Sequence, residues 1–125
     1  MLQQFLLVGL GGFIGACARY GILLLCTSLC YYMRFPVGTL LVNLLGCFAI
    51  GYLSGRWTQP HGVQTALLLF CAVGILGGFT TFSSFGLDLW RQIQQGDLWL
   101  AGLNASIQVF GGIALVWLGF MLASC

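Results

Sequence analysis

Four hydroxyl residues and three phenylalanines crowd into Phe79-Thr80-Thr81-Phe82-Ser83-Ser84-Phe85, directly after the glycine pair Gly77-Gly78. Hydroxyls donate to an anion or accept from a cation's hydration sphere, so Thr80, Thr81, Ser83 and Ser84 do not by themselves choose the sign of a ligand. Phe82 and Phe85 stand at i and i+3, on one helical face. Their positive ring edges suit a small anion, and the same spacing equally serves ordinary helix packing. Glycine weakens a helix by about 1 kcal/mol relative to alanine, and Thr and Ser offer the backbone competing hydrogen bonds. The stretch Gly74 to Phe85 therefore predicts a helix broken near residues 77–81. Backbone groups freed at such a break need protein, water or an ion, and freed carbonyls attract a cation.

Other polar residues stand alone in apolar surroundings. Asn43 lies between Leu-Val and Leu-Leu, where its amide either bridges to a neighbouring helix or offers its NH2 to an anion. Arg19 lies deep in an apolar segment, where it either snorkels to an interface or lines a polar vestibule that draws anions. Asn104 and Gln108 share a face at i and i+4. Asp88 and Arg91, at i and i+3, have the spacing of a salt bridge, and Asp97 suits a helix cap.

These residues need elements that cross a membrane. Of 125 residues, 60% are hydrophobic and 5% charged, with a mean hydropathy of +1.03. A bilayer core about 30 Å thick takes roughly 20 apolar residues per helix, so the chain predicts one transmembrane domain of four helices. They are expected at residues 2–29, 37–56, 63–90 with its break, and 98–123. The segment MLQQFLLVGL lacks the positive start of a cleaved signal. Four helices enclose little interior, which favours an oligomer with an ion path between or beside subunits.

Several chemistries are excluded. A net charge of +2, from four arginines and two aspartates, makes no basic face for nucleic acid. Gly9-Leu10-Gly11-Gly12 has no Lys-Ser/Thr after it, so it is no phosphate loop, and Gly11 and Gly15 read instead as a helix-packing seam. The six cysteines have no Cys-x-x-Cys spacing and read as small packing residues. His61, beside Thr58 and Pro60, reads as a solvated loop residue. The pattern Asn104-Ala105-Ser106 falls inside a span, out of reach of glycosylation. No nucleophile and base pair suggests an enzyme.

Three blocks together resemble the small fluoride channels of the CrcB/Fluc family: Gly11-Gly12-Phe13-Ile14-Gly15-Ala16-Cys17-Ala18-Arg19-Tyr20, Gly38-Thr39-Leu40-Leu41-Val42-Asn43-Leu44-Leu45-Gly46, and Gly77-Gly78-Phe79-Thr80-Thr81-Phe82-Ser83-Ser84-Phe85. The resemblance implies a passive, fluoride-selective channel in the cytoplasmic membrane, built as a dual-topology antiparallel homodimer with two pores. It implies that Gly77 and Thr80 lend backbone carbonyls to one structural Na+ at the dimer centre. It implies that Phe82 and Phe85 line the pores, that Asn43, Thr81 and Ser84 coordinate the ion, and that Arg19 lies near the vestibule. The family's helix-4 tyrosine and serine fall here at Asn104 and Gln108, which keep a polar stripe facing the pore.

The rival is a small four-helix multidrug or cation transporter of dual topology. That class couples to protons through a membrane-embedded glutamate, and the chain has none. A packing subunit of a larger complex would leave the polar row unexplained. Loop arginines give a weak topological instruction, Arg56 against Arg34 and Arg91, which suits insertion both ways round.

Overall fold

The computed structural model describes residues 1–30, 32, 34–57 and 63–124, with backbone only at 63–65. Tyr31, Thr58, Pro60, His61 and Gly62 lie outside the described residues, so the loop reading of His61 does too.

Helix α1 is Leu2–Leu29 and α2 is Val37–Arg56. Pro36 sits just before α2, where a missing N–H leaves no helical bond unmade. The third crossing is divided. Its first part, α3, covers residues 63–79, with wider π turns over Leu69–Leu76. Its second part, α4, is Phe82–Gln94. The last crossing, α5, is Leu98–Ser124, again with a π turn at Ile107–Gly111. All elements among the described residues are helical. Among the described residues, four stretches are long and apolar enough to cross a bilayer: Leu2–Leu29, Val37–Arg56, Ala66–Gln94 and Leu98–Ser124.

Glycines set which helices touch. A Cβ on Gly11 would lie 2.9 Å from the Gly74 Cα, and one on Gly78 would lie 3.0 Å from the Gly12 Cα. Gly15 backs onto the Ile75 carbonyl in the same seam. The Gly11/Gly15 spacing thus joins α1 to α3 at backbone contact, the arrangement that small residues permit in lipid. A second seam joins α2 to α5, where Gly51 meets the Val116 backbone, Gly55 meets Phe120, and Gly119 meets Phe48 and Tyr52. Little else is buried: Val42 and Asn104 are the largest fully enclosed side chains. Large apolar side chains such as Phe5, Phe13, Phe82, Trp99, Phe110 and Trp117 face outward, as a lipid-facing or partner-facing surface requires.

The end of the third crossing differs from expectation. Helix α4 continues to Gln94, past the expected stop at Trp90, and closes at Gly96. There φ is +80°, the Asp97 amide reaches back to the Gln92 carbonyl at 2.9 Å, and the Gly96 amide bonds the Ile93 carbonyl at 3.0 Å. Glycine adopts this left-handed turn without a Cβ penalty, so it, rather than the polar run before it, ends the helix.

Asp88 and Arg91 do not pair. Asp88 turns one carboxylate oxygen into the protein, whereas Arg91 is exposed, so the side chains part despite their spacing. Asp97 stands at the N-terminus of α5 without a side-chain cap bond. Its carboxylate instead meets Arg34 at 3.8 Å, which puts the first and third connections at one end of the bundle.

Candidate ion path at the helix break

The break is narrower than the glycines suggested. Gly77 and Gly78 stay helical, and only Thr80 (φ −79°, ψ 159°) and Thr81 (φ −152°, ψ 116°) are extended. Gly78 serves contact with α1, and Gly46 lets the α2 backbone approach the Thr80 methyl. The interruption itself is the work of side chains that capture two amides. The Thr81 N–H, which an unbroken helix would send to the Gly77 carbonyl, donates to Asn43 Oδ1 at 2.9 Å. The Ser84 N–H, due to the Thr80 carbonyl, donates instead to Thr81 Oγ1 at 3.2 Å and caps α4.

The extended pair removes the helical donors of four carbonyls, those of residues 77–80, and the Gly77 and Thr80 carbonyls are the two whose donors, the Thr81 and Ser84 amides, are captured by side chains. Arg19 Nη1 donates to the Thr80 carbonyl at 3.3 Å. Arg19 is thus half-buried and tied to the break itself, rather than stretched to an interface. Gly77 is exposed, and nothing lies within 4 Å of the place a Cβ would occupy. The two carbonyls suit a hard cation such as Na+, which takes oxygen ligands. One chain's pair makes only part of a coordination shell, and Arg19 already holds one lone pair of Thr80.

On the other side of the break runs a row of amides. Asn43 Nδ2 donates to the Thr81 carbonyl at 3.1 Å and to Gln108 Oε1 at 2.6 Å. Gln108 Nε2 donates to Asn104 Oδ1 at 3.0 Å, and Asn104 Nδ2 to Gln92 Oε1 at 3.3 Å. Gln108 sits in the π turn of α5, whose extra residue per turn resets the helix face presented toward α2. Asn104, one turn earlier, is fully enclosed. The row thus links α2, α5 and α4.

An apolar groove of about 410 Å³ opens over this centre, lined by Asn43, Thr80, Thr81, Phe82, Phe85 and Gln108 among others. Phe82 is 84% exposed at its rim. The Phe82 and Phe85 rings meet edge to face, with centroids 5.7 Å apart and planes at 62°. That geometry points one ring's positive edge at its neighbour's negative face and leaves the remaining ring edges free.

The donors left over differ from the expected set. Both Nδ2 hydrogens of Asn43 are committed, so Asn43 bridges helices and closes the break. Thr81 Oγ1 donates to Ser84 Oγ at 3.1 Å and lies 3.2 Å from Ser83 Oγ. Uncommitted hydrogens remain on Gln108 Nε2 and on Asn104 Nδ2, each of which makes one bond, and on the Ser84 hydroxyl. The structure brings Asn43, Thr80, Thr81, Phe82, Phe85 and Gln108 to one groove, sets Ser84 beside Thr81, and places Arg19 behind the break. Asn104 stands in the interior row, away from the groove. Sequence reasoning passed over Gln92, which looked like part of a polar helix end. Its signal was its place seven residues after Phe85, two turns on along the same face.

Comparison with known proteins bears on this site. The family profile described as "CrcB-like protein, Camphor Resistance (CrcB)" matches residues 6–120. Proteins named "Fluoride-specific ion channel FluC" align over nearly their whole length. The relative from Solibacter usitatus is 42% identical over 97% of this chain and 98% of its own. That from Prosthecochloris aestuarii is 42% identical over 94% of this chain and 91% of its own. That from Pyrococcus furiosus is 43% identical over 98% of this chain and 97% of its own.

Proposed function

This chain belongs to the CrcB family, and from that membership we propose that it is a fluoride-selective channel that lets the ion leave a cell passively across the cytoplasmic membrane. The observation that carries the reading is the groove at the helix break, where aromatic edges meet the spare N–H of Gln108, with the Ser84 hydroxyl next to the groove beside Thr81 and no fixed anionic group among the lining residues. Fluoride is small and strongly hydrated, so it needs donors in succession to replace its water, and a site that bound it too well would not conduct. Gln108 Nε2 and the Ser84 hydroxyl offer the donors, and the Phe82 and Phe85 edges offer weaker positive surface between them. Thr81 orders the serines, Asn43 and Asn104 hold Gln108 in place, and the Arg19 guanidinium adds a positive potential behind the break. A multidrug transporter reading finds no glutamate to carry its proton.

The proposal includes two copies inserted in opposite directions. Phe82 lines the groove with its side chain largely exposed, a surface that a second copy would cover. The Gly77 and Thr80 carbonyls of each copy would then face a shared Na+, whose chemistry is to neutralise converging carbonyl dipoles and hold the copies together. Reporters for either compartment fused to the C-terminus test the insertion, and signal from one side only would refute it.

Proteoliposomes containing only this protein and loaded with fluoride test the function. A fluoride electrode should record rapid efflux, and chloride-loaded vesicles should hold their anion. Fluoride efflux no faster than from empty vesicles would overturn the reading.

A further inference from the structure

We propose that Gln92 is a further fluoride-contacting residue, whose Nε2 receives the ion at the far end of the amide row. The inference rests on the fluoride-channel reading and extends its path beyond the groove.

The row has a direction. The Thr81 N–H can only donate, so Asn43 must turn Oδ1 toward it, and each following amide is then fixed with its oxygen toward Asn43 and its NH2 away. Four side-chain amides thus point the same way, and successive bonds polarise one another. The positive end of the row is Gln92 Nε2. Gln92 is 4% exposed, and its Nε2 is enclosed with no partner. A buried donor without an acceptor is the group an entering anion would satisfy.

A cavity reaches the same part of α4, lined by Arg91, the chain neighbour of Gln92, and by Asp88 one turn before it, though not by Gln92 itself. Its volume is about 420 Å³, and Thr27 and Thr39 wall it together with apolar residues of α1 and α2. Arg91 makes no direct ion pair among the described residues, and it lines this cavity together with Asp88. Asp88 opposes a bare anion. Its Oδ2 is also enclosed and unpartnered, one turn before Gln92 on the same helix. One water that accepts from Nε2 and donates to Oδ2 satisfies both, so the site suits an anion still carrying part of its hydration. Gln92 would then be where fluoride exchanges water for amide donors before it moves along the row toward Gln108.

Three variants test this in proteoliposomes, with size-exclusion profile and thermal midpoint measured on each. Gln92→Glu keeps an oxygen for the Asn104 amide and removes the donor. Gln92→Met removes both. Gln95→Glu adds the same charge at an exposed neighbour. Efflux should fall about tenfold in both Gln92 variants, with Gln92→Glu assembling normally and Gln95→Glu conducting like the wild type. Gln92→Met should also raise the fluoride concentration that gives half-maximal flux. Normal efflux from Gln92→Glu would overturn the inference, as would losses that track the fraction of folded protein, or an equal loss in Gln95→Glu. Should the wild type itself fail to pass fluoride, the channel reading falls rather than the role of Gln92 within it.

Discussion

Asn43 faces Thr81 as one strand faces another: its Oδ1 takes the Thr81 N–H at 2.9 Å and its Nδ2 returns a bond to the Thr81 carbonyl at 3.1 Å. A single side chain on α2 thereby replaces the acceptor that the Thr81 N–H gives up at the break and adds a second donor to the Thr81 carbonyl. The extended pair Thr80-Thr81 sits inside the apolar zone because this amide satisfies both polar groups of Thr81.

Asn43→Ala should therefore disturb more than an ion path. It strands the Thr81 N–H, at a cost of about 1–3 kcal/mol when left buried and unpaired, and takes one of two donors from the Thr81 carbonyl, which as N-cap of α4 keeps its helical bond. The expected result is a lower thermal midpoint together with lost fluoride efflux. Asn43→Asp, which keeps the acceptor for the Thr81 N–H, should recover part of the stability and little of the flux. An Asn43→Ala protein with wild-type melting would show that the break is held by other means.

Phe82→Ile should separate the two properties. Phe82 is mostly exposed within one chain and touches the ring of Phe85, so a branched aliphatic costs the fold little. Fluoride efflux should fall about tenfold, the loss of roughly 1.4 kcal/mol of stabilisation at the barrier. Equal flux from the variant would reduce Phe82 to packing bulk.

Two neighbouring glycines make a paired test of what covers the break. Gly78→Ala drives a methyl against the Gly12 backbone, and overpacking of this kind costs about 1–3 kcal/mol within a single chain. Gly77→Ala meets nothing within 4 Å in its own chain. A dimer seated on this face should lose assembly on Gly77→Ala while the secondary structure by circular dichroism stays intact. Unchanged assembly would place the partner elsewhere.

If the proposed dimer shares a sodium ion, replacing sodium with N-methylglucamine throughout purification and assay should weaken that assembly on size exclusion and lower efflux, with recovery when sodium is restored. The Gly77 and Thr80 carbonyls have lost their helical donors in each chain and need another positive partner. Full activity after exhaustive sodium removal would leave Arg19 as the only cation serving this centre.

Much was legible from residue order alone, for a physical reason particular to membranes. Hydrocarbon demands about 20 apolar residues per crossing, so the four spans could be read from composition, and Gly11 and Gly15 announced a close helix seam. The hydroxyl run after Gly77-Gly78 marked the broken crossing because helix-weakening residues are costly at that depth. What remained hidden depended on which atom met which. Asn43 was equally able to bridge or to bind an anion, Asp88 and Arg91 had the right spacing without the right direction, and Gln92 resembled a helix end. Sequence spacing limits which side chains share a face; it does not choose among several partners within hydrogen-bond reach. That choice was made when the helices packed, since the Thr81 N–H and Asn43 had to satisfy each other first, and every amide from there to Gln92 took its orientation in turn.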